Sequence, residues 1–143
     1  MKPLKPILLA FTLVCSITIG FAQKNYAPFK FDESGDFALT LNIKQSPFVK
    51  KFSEVMRKHH RDPSDVTEWV GVFDIIVGMK DTDLAGTGDL TFDSDEDVVR
   101  ISATKKEEVD AVMKAIKQVI ATPAKLDAFL TDFETTLEKA KKK

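Results

Sequence analysis

Apolar residues recur along this chain at two different spacings, and the order of those spacings limits the fold. In short segments they alternate with polar residues, as in half-buried strands, and in longer segments they recur every three to four residues, as in helices. From residue 29 onwards the order is strand, strand, helix, helix, and then the same four elements again. Runs of strands followed by runs of helices predict an α+β fold, an antiparallel sheet of about four strands with about four helices packed on it.

Four segments carry the strand pattern. The clearest covers residues 37–43, where every second residue is large and apolar. A segment containing Phe29 and Phe31 precedes it across a turn marked by Ser34 and Gly35, so we expect these two segments to form a hairpin. The two remaining strands are predicted at residues 90–92 and 99–103, and residues 94–96 are predicted to connect them.

Four helices are predicted to begin at side chains that accept a hydrogen bond from a free backbone N–H group. Three of these acceptors stand directly before a proline, which gives up a donor that would be unpaired anyway. They are Ser46, Asp62 and Thr122. The fourth is Thr104, with Glu107 three residues later in the spacing of a capping box.

The segment at residues 66–79 fits both a helix and an alternating strand. The cap at Asp62 favours the helix, although Gly71 weakens a helix by about 1 kcal/mol relative to alanine. The single tryptophan, Trp69, lies in this segment. It fits a buried core position whose N–H reaches a carbonyl, and it also fits an exposed binding residue for a protein partner.

Residues 1–22 have the pattern of an export signal. Lys2 and Lys5 precede an apolar stretch at residues 7–19, and small residues at Gly20 and Ala22 suit cleavage after Ala22. The apolar stretch is shorter than the roughly 20 residues that a membrane-spanning helix needs. We therefore expect residues 1–22 to be a cleaved signal peptide and residues 23–143 to form a single domain, periplasmic or secreted.

Composition narrows the chemistry of the exported domain. The only cysteine, Cys15, lies within the predicted signal, so the mature domain is expected to contain no disulfide and no thiolate metal ligand. Two of the basic residues leave with the signal, and the remaining chain is slightly acidic. A slightly acidic domain is a poor candidate for nucleic-acid binding, which needs clustered positive charge facing the phosphates.

Seven carboxylates and no basic residue fall within residues 81–97: Asp81, Asp83, Asp89, Asp93, Asp95, Glu96 and Asp97. A calcium loop beginning at Asp93 would need glycine at position 98 and glutamate at position 104, where Val98 and Thr104 stand, so that motif fails. Three interpretations remain open: a solvated acidic hairpin, an acidic patch that faces a partner, and a nonstandard metal site.

We predict no enzymatic activity and no cofactor. The mature chain lacks a thiol nucleophile and a G-x-S-x-G motif, although a pair of acids for glycoside cleavage would be visible only in the fold. His59 and His60 are adjacent, at the predicted end of a helix, and the spacing does not suit a metal site. We expect a solvated helix end there, with a basic anchor for an acidic ligand or a membrane headgroup as the alternative.

Three stretches together carry a family resemblance. They are residues 29–37 (FKFDESGDF), residues 68–72 (EWVGV), and residues 90–95 (LTFDSD) leading through 99–101 (VRI) into 106–109 (KEEV). Over most of residues 29–130 the chain resembles the immunity protein 51 family of bacterial toxin systems. That resemblance implies a small α+β inhibitor of a cognate toxin with no activity of its own, and the export signal would place both proteins in the periplasm.

We therefore predict an exported, non-catalytic immunity protein that binds and inhibits an antibacterial toxin. Its expected partner-binding residues are Trp69, Phe92, Asp93, Asp95, Glu96 and Asp97. The alternatives are an envelope module that binds a small ligand or ion, and a hydrolase whose acids meet only in the fold. No metal site is predicted.

Overall fold

Two pairs of strands alternate with groups of helices in the computed structural model, which describes residues 26–86 and 89–143. The elements are β1 (Lys30–Asp32), β2 (Phe37–Asn42), α1 (Pro47–Lys58), α2 (Val66–Lys80), α3 (Thr82–Ala85), β3 (Thr91–Asp95), β4 (Val98–Ala103), α4 (Lys106–Val119) and α5 (Pro123–Lys141). The predicted α+β class and its four strands are confirmed, with the four-residue helix α3 as an addition. The predicted signal, residues 1–22, lies outside the described residues.

The four strands form one antiparallel sheet in the order β1-β2-β4-β3. The predicted hairpin of β1 and β2 is present, and β4 lies between β2 and β3. One row of apolar side chains crosses the whole sheet, since Leu39 is opposite both Phe31 and Ile101, and Ile101 is opposite Phe92. Because side chains alternate between the two faces of a strand, this register puts all four on the same face.

Helices α2 and α4 pack on that apolar face, and they also contact each other. Leu39 and Ile101 are completely buried there. On the opposite face a second row runs through Lys30, Thr40 and Arg100, and these side chains are exposed or half-buried. The sheet therefore buries one face and leaves the other polar, which is the common arrangement of antiparallel sheets.

Helix α2 resolves the ambiguity of residues 66–79 in favour of the helix. Five of its residues are completely buried: Trp69, Val72, Phe73, Ile76 and Val77. The Trp69 indole N–H donates to the carbonyl of Pro63 at 2.9 Å. Its ring packs against Phe48 and Phe73, with ring centroids 5.5 and 6.1 Å away. The helix joins the sheet to α1, so apolar residues on more than one side are buried.

The predicted helix start at Asp62 is wrong by one turn. Asp62 instead accepts hydrogen bonds from the backbone N–H and the hydroxyl of Ser64, and the helix begins at Val66 after Asp65. Asp65 provides the cap, accepting from the Thr67 N–H at 2.9 Å. The extra turn places the Pro63 carbonyl where the buried indole N–H needs an acceptor, a requirement that outweighs the local preference for proline at the first helical position.

The other three predicted starts have mixed outcomes. Thr122 caps α5 as expected, accepting from the Lys125 N–H at 3.2 Å. Ser46 precedes α1, but its hydroxyl makes no capping hydrogen bond. The capping box at Thr104 is wrong, because β4 continues to Ala103 and the residue directly before α4 is Lys105, which has no side-chain acceptor.

His59 joins the end of α1 to α5, so the predicted solvated helix end is wrong for this residue. Its side chain is 5 % exposed, with Nε2 2.7 Å from Asp127 Oδ1 and Nδ1 2.8 Å from Glu134 Oε1. Lys58 adds a contact of 2.6 Å to the other oxygen of Asp127. The neighbouring His60 is exposed. Both ring nitrogens of His59 can donate to these carboxylates only when the ring carries both protons.

Hydrogen bonds from Lys58 and then His59 hold the pKa of Asp127 below its ordinary value. A carboxyl group with a lowered folded-state pKa stabilises the fold above its unfolded-state pKa of about 4, and this stabilisation is lost as the pH falls through the folded-state value. We predict that Asp127→Asn lowers the free energy of unfolding at pH 7, and that its difference from the wild type shrinks towards zero below about pH 4.

Urea unfolding at a series of pH values measures this difference. Asp132→Asn is the matched control, since Asp132 is an exposed acid of the same helix whose carboxylate makes no ion pair among the described residues. A difference between Asp127→Asn and wild type that stays constant from pH 7 to pH 2 would contradict the assigned ion pairs.

Candidate partner-binding site

A tight turn joins β3 to β4 and carries much of the acidic stretch. Asp95 pairs with Val98, so the loop consists of Glu96 and Asp97 alone, later in the chain than the predicted connection at residues 94–96. Glu96 has a φ of 52°, in the left-handed region that two-residue hairpin loops often require. We call the four carboxylates Asp93, Asp95, Glu96 and Asp97 the acidic hairpin.

The acidic hairpin lies at an edge of the sheet. Strand β3 is the last strand in the order β1-β2-β4-β3, so it pairs only with β4 among the described residues. Asp93 and Asp95 are exposed, whereas Phe92 and Ser94 alternate with them on the side that faces the helices and are half-buried. Two carboxylates therefore project from the polar face of an edge strand.

Asp97 fixes the loop to the rest of the fold. Its carboxylate accepts from Lys44 at 2.9 Å, and its backbone carbonyl accepts from the Ile43 N–H at the same distance. The hydrogen bond to Asp97 raises the pKa of Lys44. Such an exposed ion pair contributes little to the free energy of unfolding, because water screens the two charges. Its role here is to hold the loop against the segment between β2 and α1.

Asp93 is exposed and forms no ion pair among the described residues. It is opposite Arg100 in the register of β3 and β4, and its carboxylate accepts from the Ser94 N–H at 2.7 Å. Asp95 and Glu96 are exposed too, and neither forms an ion pair within residues 26–86 and 89–143, although the charge of Glu96 adds to the attraction that raises the pKa of Lys44. The hairpin therefore presents exposed carboxylates outside any ion pair, with Asp95 and Glu96 next to each other.

Trp69 is not part of this surface. Predicted as a partner-binding residue, it is completely buried under α1, and its one polar atom is used by Pro63. A completely buried ring that packs against Phe48 and Phe73 leaves no atom for a partner, so the core interpretation is correct. Phe92 is half-buried and packs against the core, which makes it the only predicted apolar contact residue that retains some exposure.

The structure supplies one ion-pair partner of the predicted acids that the sequence did not reveal, Lys44. The position of Arg100 opposite Asp93 could have been found by counting outwards from a loop of Glu96 and Asp97, but no ion pair joins the two side chains. Lys44 has no such signal, because it belongs to the loop after β2 and meets Asp97 only through the pairing of β2 with β4.

The described residues give no indication of a metal centre: they contain no group of three or more histidine, cysteine, aspartate or glutamate side chains arranged to hold an ion. Among the helices described, none has the length and apolar character needed to cross a membrane. Comparison with protein-family models, curated proteins and solved structures found no match for this chain.

The left-handed conformation of Glu96 leads to a stability prediction. A residue other than glycine is strained in this conformation by about 1–2 kcal/mol, and glycine would remove that strain. Glycine also raises the conformational entropy of the unfolded chain, which offsets part of the stabilisation. We predict that Glu96→Gly raises the free energy of unfolding by about 1 kcal/mol or less. Asp97→Gly is the matched change in the same loop and should lower it, because it removes the ion pair with Lys44.

Chemical denaturation of both variants beside the wild type measures these changes. A Glu96→Gly variant less stable than the wild type would contradict the assigned conformation of the loop.

Proposed function

We propose that this chain is an exported immunity protein that binds and inhibits a cognate antibacterial toxin in the periplasm. The observation that carries the proposal is the pair of exposed carboxylates, Asp95 and Glu96, which lie at the tip of the acidic hairpin and form no ion pair among the described residues. The resemblance of residues 29–37, 68–72 and 90–109 to the immunity protein 51 family supports the same assignment, and the export signal predicted at residues 1–22 supports the compartment.

Electrostatics explains what such a hairpin would contribute. A patch of one charge sign attracts a surface of the opposite sign over several ångströms, and it raises the association rate more than the affinity. The target we propose is therefore a basic region of the toxin, such as the cleft in which a hydrolase holds an anionic substrate. Occupying that cleft would inhibit the toxin without any chemical step by the inhibitor.

The edge of β3 offers a second, short-range contribution. Edge strands carry backbone N–H and C=O groups that another strand can pair with, and main-chain hydrogen bonds give affinity in complexes of that kind. Only one side of β3 is paired among the described residues. The carboxylates would then bring the toxin to the hairpin, and the β3 edge with the half-buried Phe92 would hold it.

The environment of His59 supports a role without catalysis. A histidine acting as a general base needs one free ring nitrogen that faces a nucleophile. Both ring nitrogens of His59 face carboxylates, at 2.7 and 2.8 Å, and the ring is almost fully buried. His59, the residue that most resembles a catalytic base, therefore uses both ring nitrogens to join α1 to α5.

The test uses the toxin encoded by a gene that neighbours the gene for this chain. Cells that export the toxin should survive when they also export this protein, and the purified pair should associate rapidly at low salt. We expect Asp95→Asn combined with Glu96→Gln to slow association by about tenfold at low ionic strength, with a smaller effect in high salt, because surface charges are screened over about 10 Å at 0.1 M.

Asp132→Asn combined with Glu138→Gln is the matched control, since it removes the same charge from exposed positions on α5. The control should associate like the wild type. Continued killing in the presence of the wild-type protein would reject the immunity function, and equal association rates for the two double variants would reject the acidic hairpin as the contact surface.

A further inference from the structure

Two open clefts adjoin each other on the side of the molecule where α1 and α4 meet residues 26–28. The first, about 440 Å³, is lined by Tyr26, Lys106, Asp110, Met113, Lys114 and Lys117. The second, about 510 Å³, is lined chiefly by Pro28, Phe48, Lys51, Phe52, Lys117 and Ile120. Lys117 lines both clefts, so a single ligand could extend from one into the other.

The first cleft has an excess of positive charge. Its only carboxylate, Asp110, is occupied, because the Tyr26 hydroxyl donates to it at 2.5 Å and Lys106 at 3.2 Å. Burial and then the bond to Asp110 raise the pKa of Tyr26, so the phenol remains a donor at neutral pH. Lys114 and Lys117 form no ion pair within the described part of the chain.

The second cleft has an apolar floor with ammonium groups at its rim. The rings of Phe48 and Phe52 pack 4.5 Å apart, and Phe48 and Ile120 remain partly exposed. Lys51 places its Nζ 5.7 Å from the centre of the Phe52 ring. Its stem can therefore cover apolar surface while its charge stays at the rim, an arrangement common for lysines beside apolar sites.

From these features we infer that the two clefts bind a single-chain phospholipid with a negatively charged headgroup. The acyl chain would lie on the partly exposed Phe48 and Ile120, with the buried Phe52 ring behind them, and the phosphate would lie between Lys117 and Lys114 in the first cleft. Each cleft has a volume in the range of small-molecule sites, about 300–1,000 Å³. This inference is independent of the acidic hairpin and of the proposed immunity function.

Charge and shape together select this ligand. An uncharged apolar molecule would leave three ammonium groups unpaired: Lys51, Lys114 and Lys117. A free phosphate would leave the partly exposed Phe48 and Ile120 in contact with water, whereas an acyl chain would bury their apolar surface. An amphiphile with one anionic end satisfies both parts at once.

The lone tryptophan provides a probe of binding. Trp69 is buried behind the second cleft, with its ring centroid 5.5 Å from that of Phe48, which lines the cleft. The full chain, expressed with residues 1–22 and purified after export, is titrated with lysophosphatidylglycerol below its micelle concentration while Trp69 fluorescence and the melting temperature are recorded. Lysophosphatidylcholine with the same acyl chain, glycerol phosphate, and vesicles containing phosphatidylglycerol are titrated in parallel.

We expect lysophosphatidylglycerol to bind at least tenfold more tightly than lysophosphatidylcholine, and glycerol phosphate to bind far more weakly than either. Lys114→Gln and Lys117→Gln should each weaken binding of the anionic lipid about fivefold, the equivalent of about 1 kcal/mol per lysine near an anionic lipid. Lys125→Gln and Lys139→Gln are the matched controls, since both lysines are exposed on α5 outside the two clefts, and neither should change the affinity.

Equal affinities for the two lysophospholipids would overturn the inference, as would unchanged binding by the Lys114 and Lys117 variants. Glycerol phosphate binding as tightly as the lipid would mean that the site takes the anion alone. Capture by vesicles without binding of the monomeric lipid would mean that this face contacts a membrane surface instead. Either result rejects a lipid-binding cleft.

Discussion

Burial of one face of the sheet beneath α2 and α4 is the constraint on which the rest of this structure depends. Leu39, Ile101, Trp69 and Phe73 are completely removed from water in that layer. An aromatic ring of this kind buries roughly 150–250 Å², which at about 25 cal/mol per Å² corresponds to several kcal/mol for each ring. The exposed ion pair of Lys44 and Asp97 contributes far less, because water screens its charges. Apolar packing therefore contributes much more to the stability of this architecture than the surface ion pairs do.

Because apolar packing supplies most of the stability, the charged surface groups are available for binding. Since the apolar layer holds β3 and β4 in place from one side, the polar face and the edge of the sheet do not need to be covered. Asp95 and Glu96 remain exposed and form no ion pair among the described residues, and α1 and α4 present lysines around residues 26–28. The proposed toxin contact and the inferred lipid cleft use different surfaces of the same packed layer.

Local periodicity made much of the fold predictable. The alternation over residues 37–43 and the apolar stripe of α4 each reflect one buried face of one element, so the pattern is visible without knowledge of the rest. The strand order was not predictable in this way, because placing β4 beside β2 depends on matching apolar rows that are distant in the chain. The start of α2 also depends on a distant requirement, since the Trp69 indole needs the Pro63 carbonyl as its acceptor.

Some features of the candidate site were likewise predictable from the local sequence, and others depended on distant parts of the chain. Exposure of Asp95 and Glu96 follows from acids in a tight turn, whereas tryptophan suits both a core and an interface, so only the fold could assign Trp69. His59 illustrates the limit most clearly. A histidine at a helix end among basic residues gives no sign of Asp127 and Glu134, which reach it from α5 at the other end of the chain.

Native-state hydrogen exchange at increasing denaturant concentration tests most directly whether the layer beneath the sheet opens only as a unit. The account predicts that the Trp69 indole N–H and the paired backbone amides of β2 and β4 exchange with the free energy of global unfolding. Exchange of the indole N–H at a much smaller free energy, while β2 and β4 stay protected, would show that α2 separates from the sheet on its own. That result would contradict the central role assigned to this layer.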